Sequence, residues 1–179
     1  MRLLVGVTGG IACYKACELV SLAVGRGHSV RVVMTDSATR FIGTLTFEGL
    51  TGHPVLVGMD HLADGQAMSH IEWAKWTEVA CIAPLTANTL AKLAVGIADD
   101  ALTTVLMAIP AARPVILGPA MNTEMWNQPV VQRNLQWIAD LNRFEMVQPV
   151  EKRLACGDYG VGGLATPEAL LAACEAAHN

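Results

Sequence analysis

"RLLVGVTGGIACYKACELVSLAV" (residues 2–24) changes its periodicity at the central Thr8-Gly9-Gly10, and that change decides the fold. Residues 2–7 form a short run rich in Leu and Val, Thr8-Gly9-Gly10 reads as a turn, and from Ala12 onward apolar side chains recur at helical spacing. The alternation continues down the chain. "SVRVVM" (29–34) reads as a second strand, followed by "TDSATRFIG" with the polar start of a helix cap. "VACIAP" (79–84) is a third strand leading into helical "TANTLAKLAVG" and "DDALTTVLMAI". "PVILGP" (114–119) is a fourth, with helical "PVVQRNLQWIADL" behind it; "FEMVQP" is a fifth, and "PEALLAACEAA" closes the chain as a helix. Apolar strands separated by helices predict an α/β fold: a doubly wound, Rossmann-like parallel sheet in three α/β/α layers, a single domain over residues 1–179. "GMDHLADGQAMS" (58–69) reads as a mobile loop.

A chain of 179 residues suits one hydrophobic core. Hydrophobic residues make up 53% and charged ones 16%, a composition that predicts surface buried against further copies of the chain. The net charge of -4, with Lys and Arg scattered singly, argues against a nucleic-acid partner, which needs a basic stripe. No apolar run has the length of a membrane span, and glycines interrupt "MRLLVGVTGG" before it could act as a signal peptide, so no membrane is expected and the location expected is cytoplasmic. The five cysteines (Cys13, Cys17, Cys81, Cys156, Cys174) are odd in number and lack CxxC pairs, which predicts neither disulfides nor a metal site. Cys13 and Cys17, four apart, read as small packing residues on one helical face.

In such sheets ligands bind beyond the carboxyl ends of the strands, where this sequence gathers its polar groups. Thr8-Gly9-Gly10 follows the first strand, Thr35-Asp36-Ser37 the second, Thr86-Ala87-Asn88-Thr89 the third and Ala120-Met121-Asn122 the fourth. Small residues and hydroxyls at helix starts leave backbone N–H groups available to a phosphate. "GVTGGIA" lacks both GxGxxG spacing and the Lys of a P-loop, so one phosphate, hence a mononucleotide, fits better than two; the glycines alone are equally consistent with a tight turn that binds nothing. His70, in "MSHIEWAKW", could act as a general base at neutral pH or simply cap a helix. Asn122, in "PAMNTEMW", could donate its amide to a carboxylate beside an apolar wall of Met121, Met125 and Trp126, or serve as an N-cap. Asp99 and Asp100 read as helix-start acids. Cys156, in "EKRLACGDYGVGG" (151–163), sits among charges and glycines and is either incidental or a reagent.

Taken together, "GVTGGIACYKA", "VVMTDSATRFI", "SHIEWAKW", "IAPLTANTLAKLAVGIADDALTT", "PAMNTEMWNQPVVQRNL" and "RLACGDYGVG" span nearly the whole chain. In this order they resemble the homo-oligomeric flavin-containing cysteine decarboxylases, and within them the branch acting on 4'-phosphopantothenoyl-L-cysteine in coenzyme A biosynthesis. The resemblance implies an FMN enzyme whose flavin phosphate is held by Gly9, Gly10, Ile11, Thr35 and Ser37, with the ring near Thr86, Asn88, Thr89 and Ala120. It implies that Asn122 binds the substrate carboxylate, that Met125 also contacts the substrate, and that His70 is the base as the cysteine side chain is oxidised to a thioaldehyde. Decarboxylation then gives an enethiol, because the oxidised carbon accepts the electrons. Re-reduction follows, with Cys156 as proton donor while Arg153, Leu154 and Ala155 close over the substrate. The resemblance further implies trimers or dodecamers in which His70 meets the flavin across subunit faces. Bacterial relatives are often fused to a synthetase, for which 179 residues leave no room, so the expectation is either a decarboxylase on a separate polypeptide or a piece of a longer protein. The chain departs from the pattern at Leu164-Ala165-Thr166-Pro167, where many relatives read Met-Ala-Glu-Pro. Two further functions share much of this pattern: decarboxylation of a peptide's C-terminal cysteine, and flavin binding by a regulatory subunit without turnover.

Overall fold

The computed structural model describes residues 1–58, 70–153 and 159–178, Arg153 by its backbone alone. The apolar runs pair as six parallel strands: β1 (Arg2–Val7), β2 (Ser29–Met34), β3 (Leu56–Val57), β4 (Val79–Leu85), β5 (Val115–Pro119) and β6 (Phe144–Met146). Their order is β3-β2-β1-β4-β5-β6. Strand β1 therefore has β2 on one side and β4 on the other, and the chain reverses its winding direction between them.

Pleating sends alternate side chains to opposite faces, and the two cores record it. Leu3, Val5 and Val7 of β1 and Val79, Cys81 and Ala83 of β4 face one core. It is covered by α1 (Cys13–Gly25), with Phe47 of α3 (Thr44–Thr51) and Leu170, Leu171 and Cys174 of α9 (Pro167–His178). Leu4 of β1 and Ala80, Ile82 and Leu85 of β4 face the other. There α4 (His70–Trp76), α5 (Ala87–Val95), α6 (Ala101–Ala108) and α8 (Pro129–Asp140) supply Trp73, Leu90, Leu102, Leu106 and Ile138. Every residue of β4 is buried, the pattern expected of a central strand covered on both faces. The doubly wound three-layer fold read from the sequence is the one observed.

Three features depart from that reading. Strand β3 has two residues, too few to show any period; α2 (Asp36–Thr39) is a single turn within the segment read as a cap, and α3 lies beyond it, in residues to which the sequence reading assigns no element. "FEMVQP" contributes only Phe144–Met146 to the sheet. Finally, the cysteine segment is flanked by an antiparallel pair, β7 (Val150–Arg153) and β8 (Tyr159–Gly163), where the sequence suggested a loop. The mobile loop expected over 58–69 falls, apart from Gly58, outside the described residues.

Candidate active site

The polar residues at the strand ends lock the first turn to the third. Thr8, 1% exposed, donates its Oγ1 hydrogen to the Pro84 carbonyl at 2.7 Å and accepts the Thr86 backbone N–H at 3.0 Å. Thr86 in turn N-caps α5 by accepting the Thr89 N–H. The Cys13 thiol donates to the Thr8 carbonyl at 3.2 Å, and burial pushes its pKa up, so it serves as a packing group. Gly9 is fixed by close approach: a Cβ there would lie 2.5 Å from Cβ of Ser37 and 2.8 Å from its carbonyl carbon. Gly10, by contrast, presents an open face, its nearest neighbour being the Thr86 methyl at 3.9 Å from such a Cβ.

A cleft of about 550 Å³ opens above these turns, at the point where the winding reverses. Its floor is Gly9, Gly10, Pro84 and Thr86; Ile11 and Tyr14 form one wall, and Ala120, Met121, Asn122 and Met125 another. The β7–β8 pair closes a third side with Lys152, Gly162, Gly163 and Leu164. This pair is docked on the segment after β5 by two hydrogen bonds, Thr123 Oγ1 to the Val161 carbonyl at 2.8 Å and the Met121 N–H to the Gly162 carbonyl at 3.0 Å. Gly162 has φ of 137°, and any Cβ there would overlap the Met121 carbonyl oxygen.

Asn122 both caps and lines. Its Oδ1 accepts the Glu124 N–H at 2.8 Å, starting the short helix α7 (Thr123–Trp126), while the residue stands in the cleft wall. That bond turns the amide's oxygen toward backbone; toward an anion the chemistry an amide offers is donation by Nδ2. Thr35 follows β2, and its Oγ1 is buried without a hydrogen-bond partner among the described residues. A buried hydroxyl in that condition is costly unless a ligand completes it. Together with the open face of Gly10, it fits an oxyanion held at the ends of β1 and β2.

The remaining sequence-derived candidates divide. Gly9, Gly10, Ile11, Thr86, Ala120, Asn122 and Met125 line the cleft. Ser37 is exposed and packs against Gly9; Asn88 is exposed on α5, and Thr89 is buried in the α5 cap. His70 is half-buried at the start of α4 and is not among the residues that line the cleft within one chain. Leu154, Ala155 and Cys156 lie outside the described residues, as does the side chain of Arg153. Asp99 and Asp100 have no part in the cleft. Both pair with Lys92, at 2.6 and 2.8 Å, and Asp100 caps α6 by accepting the Thr103 N–H at 2.8 Å. Tyr14, Lys152 and Gly162 also line the cleft and have no role in the sequence reading; Lys152 and Gly162 belong to the stretch of charges and glycines around Cys156, and only the β7–β8 pairing brings them to the cleft.

With this geometry in view, comparison with known proteins is decisive. The model of the flavoprotein family matches residues 1–178. The chain belongs to that family. It is 43% identical over 174 residues to the coenzyme A biosynthesis bifunctional protein CoaBC of Bacillus subtilis, a match covering 97% of this chain and 42% of that protein. The chain thus spans under half the length of this bifunctional relative. It is 38% identical to the probable phosphopantothenoylcysteine decarboxylase of Streptococcus mutans, over 95% of this chain and 94% of that one. Among solved structures, a cysteine-to-serine mutant of PPC decarboxylase complexed with pantothenoylaminoethenethiol superposes with a TM-score of 0.86 at 32% identity, covering 98% of this chain and 96% of the other. The FMN binding protein AtHal3 gives 0.81 at 34% identity, covering 98% and 95%.

Proposed function

We propose that this protein is an FMN-dependent decarboxylase that converts 4'-phosphopantothenoyl-L-cysteine to 4'-phosphopantetheine. The observation that carries the reading is the cleft itself: the amide of Asn122 and the open turn at Gly10 line one largely apolar cavity, and the Thr35 hydroxyl at the end of the neighbouring strand β2 is buried without a hydrogen-bond partner among the described residues. The S. mutans relative, matched over nearly its whole length, and the enethiol named with the PPC decarboxylase mutant supply the substrate class.

The residues fit FMN as follows. The Gly10 backbone and the Thr35 and Ser37 hydroxyls would hold its phosphate, completing the hydrogen bond that Thr35 lacks. Thr86 and Ala120, with the Ile11 side chain, would flank the ring; Asn88 and Thr89 support it through the start of α5. When bound, FMN supplies a two-electron acceptor that returns its electrons in the same turnover. The chain's own groups do the rest. Asn122 anchors the substrate carboxylate, and Met121 and Met125 keep the reacting end against an apolar wall. His70 takes a proton from the substrate's cysteine side chain, and Cys156 gives one to the enethiol carbon in the closing step.

His70 reaches this chemistry from a neighbouring copy in a homo-oligomer, a trimer or a dodecamer. Large apolar side chains exposed outside the cleft support that assembly: Leu45 is 80% exposed and Met107 60%. Among the described residues no helix is long and apolar enough to cross a membrane, and a cytoplasmic location suits a phosphorylated metabolite. His70→Asn is the test. The purified variant is expected to stay yellow with FMN and to lose decarboxylation, whereas full activity would remove His70 as the base.

A further inference from the structure

The cleft carries positive charge at its hairpin edge. Two lysines converge on its hairpin side. The stem of Lys152 crosses Gly163, where an added Cβ would lie 2.5 Å from Lys152 Cε, and the Lys15 ammonium donates to the carbonyl of the next residue, Leu164, at 3.2 Å. Lys152, Gly163 and Leu164 all line the cleft. Among the described residues no carboxylate forms an ion pair with either ammonium. Burial lowers the Lys15 pKa, the charge of Lys152 lowers it further, and Glu18 and Glu168 act more weakly in the opposite sense. Like charges held together beside an apolar cavity are a standing cost unless an anion bridges them.

We propose that Lys15 and Lys152 form a subsite for a phosphate monoester, the 4'-phosphate of the substrate. The inference rests on the functional reading above and deepens it. That substrate carries an anion at each end. The carboxylate end must react beside Asn122, which offers a neutral amide; the phosphate end, a dianion, calls for compact cations, and lysine supplies them as point charges. The flavin phosphate has separate provision. Thr35 lies on the β2 side of β1, whereas the hairpin bearing Lys152 is docked on the segment after β5, on the opposite side. The subsite therefore makes the phosphate a specificity element and explains why an otherwise apolar cleft has Lys152 in its lining and Lys15 on the adjoining Leu164 carbonyl.

The FMN-loaded protein would be titrated calorimetrically with 4'-phosphopantothenate and with pantothenate, neither of which can react. The phosphorylated ligand is expected to bind at least about tenfold more tightly, as one charge-assisted contact affords. Lys152→Met and Lys15→Met are each expected to bring the ratio toward one, and Lys152→Arg to keep most of it. A ratio near one in the unaltered protein, or a ratio preserved in both methionine variants, overturns the subsite. So does loss of FMN from those variants with riboflavin binding intact, which would assign the lysines to the flavin's phosphate. Decarboxylation of 4'-phosphopantothenoylcysteine is measured in parallel. Its absence from the unaltered protein would defeat the functional reading, while the binding ratio still judges the subsite.

Discussion

The floor of the cleft and its hairpin wall are built on opposite principles. The floor is interlocked: Thr8, Pro84 and Thr86 share buried hydrogen bonds, and Gly9 is pressed against Ser37 so closely that a methyl group has no room. The β7–β8 wall hangs on a few contacts, chiefly Thr123 to Val161, Met121 to Gly162 and Lys15 to Leu164. A permanently held cofactor wants the first kind of surface and a passing substrate the second. Flavin binding and catalysis should therefore separate on mutation: changes in the floor should release flavin and lower stability together, and changes in the wall should weaken substrate binding or turnover in a protein that remains folded and yellow.

The largest effect is expected in the cysteine segment. Cys156→Ser should lower turnover by about 10²- to 10⁴-fold, the usual yield of a positioned proton donor, with flavin content and melting temperature unchanged. Mass spectrometry should find the decarboxylated enethiol in place of the saturated product, and normal product at a normal rate would assign the proton to another group. Thr8→Val comes next, since it removes the hydroxyl that satisfies both the Pro84 carbonyl and the Thr86 N–H. A loss of about 1–3 kcal/mol in denaturant unfolding is expected, accompanied by weaker FMN retention. If stability fell with flavin affinity untouched, the floor would not be the cofactor's seat. Gly162→Ala sharpens the contrast from the other side. The strained φ and the Met121 carbonyl should push the hairpin away, raising KM while the global unfolding midpoint moves little; a global loss as large as that of Thr8→Val would erase the distinction.

The smallest effect lies away from both regions. Burial pushes the Asp100 carboxyl up, but Lys92 and the Thr103 hydrogen bonds outweigh it and leave its pKa below the ordinary carboxylate value. With a folded-state pKa below the unfolded one, this contribution is present above about pH 4 and is lost as pH falls through the depressed value. Asp100→Asn, which keeps a cap acceptor but removes the charge facing Lys92, should therefore cost about 0.5–1 kcal/mol at neutral pH and less in acid, read from unfolding curves at several pH values. An equal cost at every pH would mean the charge is irrelevant to the cap.

The sequence reveals the floor better than the wall for a physical reason. Strands β1, β4 and β5 are covered on both faces, so their apolar runs are unbroken, and the turns after them must use small or hydroxyl-bearing residues such as Thr8, Gly9 and Thr86. Those constraints are local. The hairpin's strands are short, β7 is mostly charged and β8 is glycine-rich, and the pair is docked on the segment after β5, so no period marks them. Lys152 becomes a candidate only once folding lays it across Gly163 and brings Lys15 of α1 to the neighbouring residue. His70 marks another limit: its motif is visible in the sequence, yet a single chain does not bring it to the cleft. Asn122 carried two readings, cap and ligand-facing amide; the cap is formed, and the residue stands in the cleft wall as well.

The most direct measurement of the central claim mixes the FMN-loaded protein with 4'-phosphopantothenoylcysteine, and separately with a peptide ending in cysteine, and follows both by mass spectrometry. The expected result is loss of carbon dioxide from the first alone, giving 4'-phosphopantetheine with the flavin oxidised again at the end. Turnover of the peptide alone, or of neither compound by a fully flavin-loaded protein, would contradict it.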